Sequence, residues 1–148
     1  MQNNYFISDD HKRLDYQLIH QYLAQSYWAK DIPLSLLAKA LDNSLCFGVY
    51  QKSNNHQVGF ARMITDRATF AYLADVFILP SHRGQGLSKE LMKTIKAHPD
   101  LQGLRRMVLV TKDAHSLYQQ FGFTELNNSQ GYMELWQPEV YKNPTKIA

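Results

Sequence analysis

The chain has 148 residues, of which 45% are apolar and 20% charged, and a net charge of +3. These are the values of one globular domain over 1–148, long enough for a real core. The mild charge suits a small polyanionic ligand rather than nucleic acid, and no apolar run nears the roughly 20 residues that cross a bilayer.

Met1-Gln2-Asn3-Asn4 is polar and lacks the basic-then-apolar build of a signal peptide, which predicts a cytoplasmic protein with no membrane partner. Asn3 to Ser8 reads as a first strand, and Ser8-Asp9-Asp10 can cap a helix. Leu14, Leu18, Ile19, Tyr22 and Leu23 then share one helical face. Tyr27 and Trp28 fall in a loop before a second helix, which opens at Asp31-Ile32-Pro33 and is striped by Leu34, Leu37, Ala38 and Leu41. At Leu45 the period changes. Leu45–Gln51 and Val58–Ile64 are β-rich runs joined by the turn-forming cluster Lys52-Ser53-Asn54-Asn55-His56, the pattern of a hairpin. The lone cysteine, Cys46, lies inside the first run, which predicts a buried inert thiol and excludes an internal disulfide. A third strand, Thr69–Leu79, ends at Pro80. Leu87, Leu91, Met92 and Ile95 stripe the next helix, which stops before Pro99. Met107–Thr111 reads as a strand and Ala114–Phe121 as a short helix closed by Gly122. Phe123–Leu126 and Tyr132–Trp136 are expected to close the sheet as a hairpin, and the tail after about residue 138 is uncommitted. The order is β-α-α-β-β-β-α-β-α-β-β, an α/β (α+β) fold with a mixed sheet and helices on both faces. The six histidines are scattered, and no metal site is predicted.

Between the third strand and its helix lies Ser81-His82-Arg83-Gly84-Gln85-Gly86-Leu87-Ser88. Two glycines at a strand-to-helix turn let a ligand approach the backbone, and a helix N-terminus offers unpaired N–H groups. This is an anion site whose natural occupant is a phosphate, with Arg83 as a cation at its mouth. No Gly-Lys-Ser/Thr follows, so it is not a Walker loop, and no third glycine makes it a dinucleotide fingerprint.

Arg83-Gly84-Gln85-Gly86-Leu87-Ser88 resembles the Arg/Gln-x-x-Gly-x-Gly/Ala signature of the GNAT superfamily of N-acetyltransferases. Thirty residues on, Ala114-His115-Ser116-Leu117-Tyr118-Gln119-Gln120-Phe121-Gly122-Phe123 is similar to its Ala-x-x-Leu-Tyr-x-x-x-Gly-Phe signature. The resemblance runs from about Leu45 to Trp136. It departs at Ser88, where the family has Gly or Ala.

The resemblance implies acetyl-CoA as the cofactor. Its pyrophosphate would rest on the N–H groups from Gly84 through Gln85, Gly86 and Leu87 to Ser88, near Arg83. Its pantetheine would pair with the backbone of Val76, Phe77 and Ile78, which would also polarise the thioester carbonyl. Thr111 stands where many relatives carry an asparagine that bonds pantetheine. Tyr118 would protonate the leaving thiolate. Asp75 is the acid on the strand leading to the acetyl site. Relatives acting on polyamines carry Glu-Asp where this chain has Ala74-Asp75. Asp75 is therefore left as base, ammonium anchor or partner of Arg62, with a water relay as the alternative route for the proton. Tyr27, Trp28, Arg62, Phe70 and Tyr72 are the expected acceptor-binding residues, and the acceptor is a small-molecule primary amine, with an amino acid-like amine suiting both Arg62 and Asp75. A non-catalytic acyl-CoA-binding regulatory module and a peptide or protein acetyltransferase are the competing readings. Superfamily members are often dimers, which leaves a homodimer open.

Overall fold

The computed structural model describes residues 4–142. Five strands form one sheet in the order β1 (Tyr5–Ser8), β2 (Leu45–Gln51), β3 (Gln57–Thr65), β4 (Phe70–Ile78) and β5 (Arg106–Leu109). The first four pair antiparallel, and β5 joins β4 in parallel. The helices are α1 (Tyr16–Leu23), α2 (Leu34–Asp42), α3 (Leu87–Ala97) and α4 (His115–Gln119).

Local chemistry sets most of these boundaries. Asp10 accepts from the Lys12 amide at 2.9 Å and caps a single 3-10 turn, His11–Arg13. Asp15 accepts from Leu18 N at 3.0 Å and caps α1 itself, so the helix starts one turn later than the acidic cluster suggests. Pro33 caps α2 at the position just before its first turn, as the sequence suggests. The β2–β3 turn places Asn55 at φ 60°, a left-handed position that asparagine tolerates.

The sheet carries a core on each face. On one face Phe47, Val49, Ala61, Met63 and Leu73 pack against the α3 stripe Leu87, Leu91, Met92 and Ile95, all buried. On the other, Cys46, Phe60 and Phe77 pack beneath Ile19 and Leu23 of α1 and Leu37 and Leu41 of α2. Helices on both faces of a mixed sheet are what the apolar periodicity predicts.

The expected element order fails at its end. Neither Phe123–Leu126 nor Tyr132–Trp136 is a strand, and no hairpin closes the sheet. A strand exists only where a neighbour completes its ladder. Here Asn128 Oδ1 caps a 3-10 turn at Gly131 N (3.1 Å), and no strand among the described residues pairs with the chain beyond it. β5 is also shorter than Met107–Thr111: Thr111 turns inward and its Oγ1 accepts from Ala114 N at 3.0 Å, at the start of α4. Of the tail after residue 138, a 3-10 turn spans Val140–Lys142; Asn3 and residues 143–148 lie outside the described residues.

Candidate active site

The site grows from β4. Its parallel pairing with β5 runs from Phe70↔Arg106 to Leu73↔Leu109 and then stops. From Ala74 to Ile78 the strand keeps β3 on one side, while the other side has no strand beside it. Val76, Phe77 and Ile78 therefore border an open edge, as expected for a ligand that pairs like a strand. One lone pair of the Ile78 carbonyl is already used, because Arg83 Nε donates to it at 2.8 Å.

A bulge interrupts β4 opposite Ala61, where the register with β3 shifts between Phe60 and Arg62. Asp75 adopts φ 58° there. This left-handed residue has a consequence for side-chain direction. Ala74 sits opposite Arg62 on the face of α1 and α2, and Asp75 would ordinarily point to the α3 face. The bulge reverses the alternation, so that Asp75 and then Phe77 point to the α1–α2 face. Both carboxylate oxygens are then engaged. Trp28 Nε1 donates to Oδ1 at 2.8 Å, and Arg62 Nε donates to Oδ2 at 2.7 Å. Arg62 Nη1 reaches Ser44 Oγ at 3.3 Å, and Ser44 Oγ donates to the Ala40 carbonyl at 2.7 Å. The Asp75 and Arg62 side chains are only 7% and 17% exposed. Of the three roles the sequence leaves open for Asp75, the pairing with Arg62 is the contact present.

The glycine loop follows directly. Gly84 and Gly86 both take left-handed φ, 79° and 76°, and a Cβ at either would meet no atom within 4 Å. The open space beside them is a cavity of about 190 Å³ whose walls include Ile78, Arg83, Gly86, Ser88, Lys89 and Leu117. Gly86 is the residue before α3, and no side chain caps that helix. Its first N–H groups stand at the cavity with a cradle of the kind that holds a phosphate. Leu87 is buried in the α3 core and also lines the cavity. Gln85 turns inward: its Nε2 donates to the Tyr5 hydroxyl at 3.2 Å, and that hydroxyl lies 2.7 Å from His82 Nδ1. Arg83 is a tether as well as a cation, because a guanidinium nitrogen also donates to the Tyr22 hydroxyl at 2.9 Å. Tyr22 in turn stacks on Phe77 at 4.0 Å between ring centroids, so α1, β4 and the loop are locked together.

Tyr118 lies in α4, buried, with its ring edge-on to Phe123 at 5.9 Å. Burial pushes its hydroxyl pKa up, so it keeps its proton through neutral and mildly alkaline pH. Its neighbour Leu117 lines the loop cavity, which places α4 beside the glycine loop. Thr111 is less available than expected, since its hydroxyl is spent on the Ala114 amide.

Trp28, Arg62 and Asp75 form one cluster, and Tyr72 is close enough that the Asp75 charge, after burial, helps to raise its hydroxyl pKa. Tyr27 is exposed and packs edge-on against Trp28 at 5.1 Å. Phe70 stands apart from them: it begins β4, about 16 Å of strand from Asp75. Two participants were missed. Lys112 Nζ sits 5.3 Å over the Tyr27 ring and brings the segment after β5 across to the α1–α2 loop. Ser44 completes the coordination of Arg62. Both contacts join residues far apart in sequence, and no local pattern marks them. Among the described residues no group of three or more potential metal ligands occurs, and no helix is long and apolar enough to cross a membrane.

Comparison with known proteins adds the family. A family model described as an acetyltransferase (GNAT) domain matches residues 42–125. A protein of Gibberella zeae assigned as an acetyltransferase is 36% identical over 136 residues, covering 78% of this chain and 76% of that protein. The crystal structure of a protein of Xanthomonas campestris pv. campestris assigned to the GNAT family is 52% identical, with a TM-score of 0.92 over 97% of this chain and 100% of that one. An acetyltransferase assigned in Clostridium acetobutylicum, solved with acetyl-CoA, shares the fold at 16% identity, with a TM-score of 0.63 over 90% of this chain and 95% of that one.

Proposed function

Because the chain belongs to the GNAT N-acetyltransferase family, we propose that it moves the acetyl group of acetyl-CoA to the primary amine of a small molecule that also carries a carboxylate. The observation that carries the reading is the bare side of β4 running straight into an uncapped helix start behind two left-handed glycines. The residues present fit the cofactor, since the space a Cβ would fill at Gly84 and Gly86 is open and lies in the cavity.

Bound there, acetyl-CoA supplies an activated acetyl thioester. The chain does the rest. The amides of Gly84 to Ser88 hold the pyrophosphate, and Lys89 adds a cation. The backbone of Val76 and Phe77 aligns the pantetheine and polarises the carbonyl under attack. Tyr118 donates its hydroxyl proton to the departing thiolate. Asp75 serves as a positioning residue: it fixes the Trp28 indole and the Arg62 guanidinium as two walls of the acceptor pocket. An alkylammonium must lose a proton before it attacks. With both Asp75 oxygens already accepting hydrogen bonds, ordered water takes that proton. Arg62 and Lys112 give an acceptor carboxylate two cations to meet, and Tyr27 and Trp28 supply exposed aromatic faces.

The test is release of free thiol from acetyl-CoA by the purified chain across two panels, amino carboxylates and polyamines. The expected result is acceptor-dependent release that favours the amino carboxylates. Preference for polyamines would overturn the acceptor class. Coenzyme A binding without turnover on any amine would make the chain a binding module, and turnover on peptides alone would make it a protein acetyltransferase.

A further inference from the structure

The glycine loop is held from two directions. Arg83 faces the α1 side, where its guanidinium donates to the Tyr22 hydroxyl at 2.9 Å. His82 and Gln85 face the other way. His82 Nδ1 lies 2.7 Å from the Tyr5 hydroxyl, and Gln85 Nε2 donates to that same oxygen at 3.2 Å. Tyr5 belongs to β1, at the far edge of the sheet, 77 residues before His82 and 80 before Gln85. Its ring is buried in the core of the α3 face and meets the His82 ring edge-on at 5.7 Å. Gly84 lies between the two gripped residues and Gly86 directly after them, and both are left-handed.

The hydrogen bonds fix where the protons lie. The Tyr5 oxygen carries one hydrogen of its own. It accepts from Gln85, so that hydrogen is left for His82. Nδ1 must then be bare, and the ring proton sits on Nε2. No cation takes part in this set, which distinguishes it from the grip on the α1 side. A bound phosphate attracts the Arg83 guanidinium and competes with Tyr22 for it. It draws nothing away from Tyr5. Two glycines also give a free loop many alternative shapes, and binding an anion would cost the entropy of giving them up.

We propose that the Tyr5 hydroxyl is a positioning group for the glycine loop. By gripping His82 and Gln85 it sets Gly84 and Gly86 in the anion-binding shape before a ligand arrives, and so raises the affinity for coenzyme A without touching the reacting atoms. The consequence for coenzyme A rests on the phosphate-cradle reading of the loop; the grip itself does not.

Tyr5→Phe keeps the ring and its packing and removes only the hydroxyl. Calorimetry should show coenzyme A bound about tenfold more weakly. Steady-state kinetics should place that loss in the KM for acetyl-CoA, with kcat at saturation held. Gln85→Leu should weaken binding in the same direction, and the double variant should lose less than the two single losses combined. In the ligand-free chain the amides of His82, Arg83 and Glu90 are bonded to the carbonyls of Leu79, Pro80 and Gly86 around the loop. They should exchange faster in Tyr5→Phe, while those of β2 and β3 keep their rates. Nitrogen-15 NMR of labelled histidine at about pH 8 should show the His82 signal, identified by its absence from His82→Gln, with the proton on Nε2. Unchanged coenzyme A affinity in Tyr5→Phe, exchange that rises evenly over the whole chain, or a His82 proton on Nδ1 would overturn the proposal. A parent chain that binds no coenzyme A, yet shows the loop-confined change in exchange, would remove the phosphate reading alone and leave the grip standing.

Discussion

In the proposed mechanism Asp75 is the residue on which the acceptor side turns. It is buried, left-handed, and bonded at both oxygens. Asp75→Asn keeps the shape but turns one acceptor oxygen into a donor, facing either the indole N–H or the guanidinium, and leaves the Arg62 charge uncompensated. Breaking a buried pair from one side costs about 3 kcal/mol or more. For a chain of this size that lowers Tm by roughly 10 °C. A positioning role predicts that the acceptor KM rises while the pH profile keeps its shape. A base would instead show as a collapse of kcat that high pH partly rescues. Kinetics and melting both like the parent chain would contradict any role for the pair.

Tyr118→Phe makes the complementary point. Its hydroxyl has no hydrogen-bond partner among the described residues, and the ring carries the packing against Phe123. Stability and coenzyme A affinity should hold, while kcat falls by about 10²-fold, the scale of a lost general acid. Steady-state kinetics with one acceptor decides it, and a change within a few-fold would make Tyr118 a core residue only.

At the scale of elements, the β3–β4 turn shows how one side chain organises a strand entry. Asp66 Oδ1 accepts from the amides of Ala68 (2.9 Å), Thr69 (2.7 Å) and Phe70 (3.2 Å), and Oδ2 accepts from Thr69 Oγ1 at 2.6 Å. The Thr69 hydroxyl first, then these amides, hold its carboxyl well below the ordinary 3.8. A depressed carboxyl stabilises the fold above its unfolded pKa and loses that contribution as pH falls toward the folded value. Thermal melts taken from pH 7 down to 2 should therefore fall below about pH 4, more steeply in the parent than in Asp66→Ala. Parallel curves for the two proteins would show that the turn does not depend on this carboxylate.

The same scale explains what the sequence could and could not disclose. β2, β3, β4 and α3 were legible because alternation, the helical stripe and the breakers at Asn54-Asn55 and Pro80 are all local signals. Gly84 and Gly86 were legible for the same reason. The bulge at Asp75 was not: no glycine marks it, and the partners of its carboxylate, Trp28 and Arg62, lie far from it in sequence. The terminal hairpin was misread for the opposite reason. Its residues suit strands, but a strand needs a neighbour, and the chain does not bring one.

Across the whole molecule, the sheet does two jobs. Its middle is sealed by α1 and α2 on one face and α3 on the other. Its β4–β5 pairing ends at Leu73 and Leu109, which leaves one side of β4 without a strand between the Asp75 bulge and the glycine loop. Arg83 and Tyr22 tie the loop to α1, and so join the proposed cofactor cradle to the proposed acceptor pocket. In the proposed mechanism coenzyme A lies along the bare side of β4 with its pyrophosphate on the glycine loop. Amide hydrogen exchange with and without coenzyme A tests it directly. Slowed exchange is expected, confined largely to residues 75–90 and to α4. Protection elsewhere, with residues 75–90 unchanged under saturating coenzyme A, would contradict it.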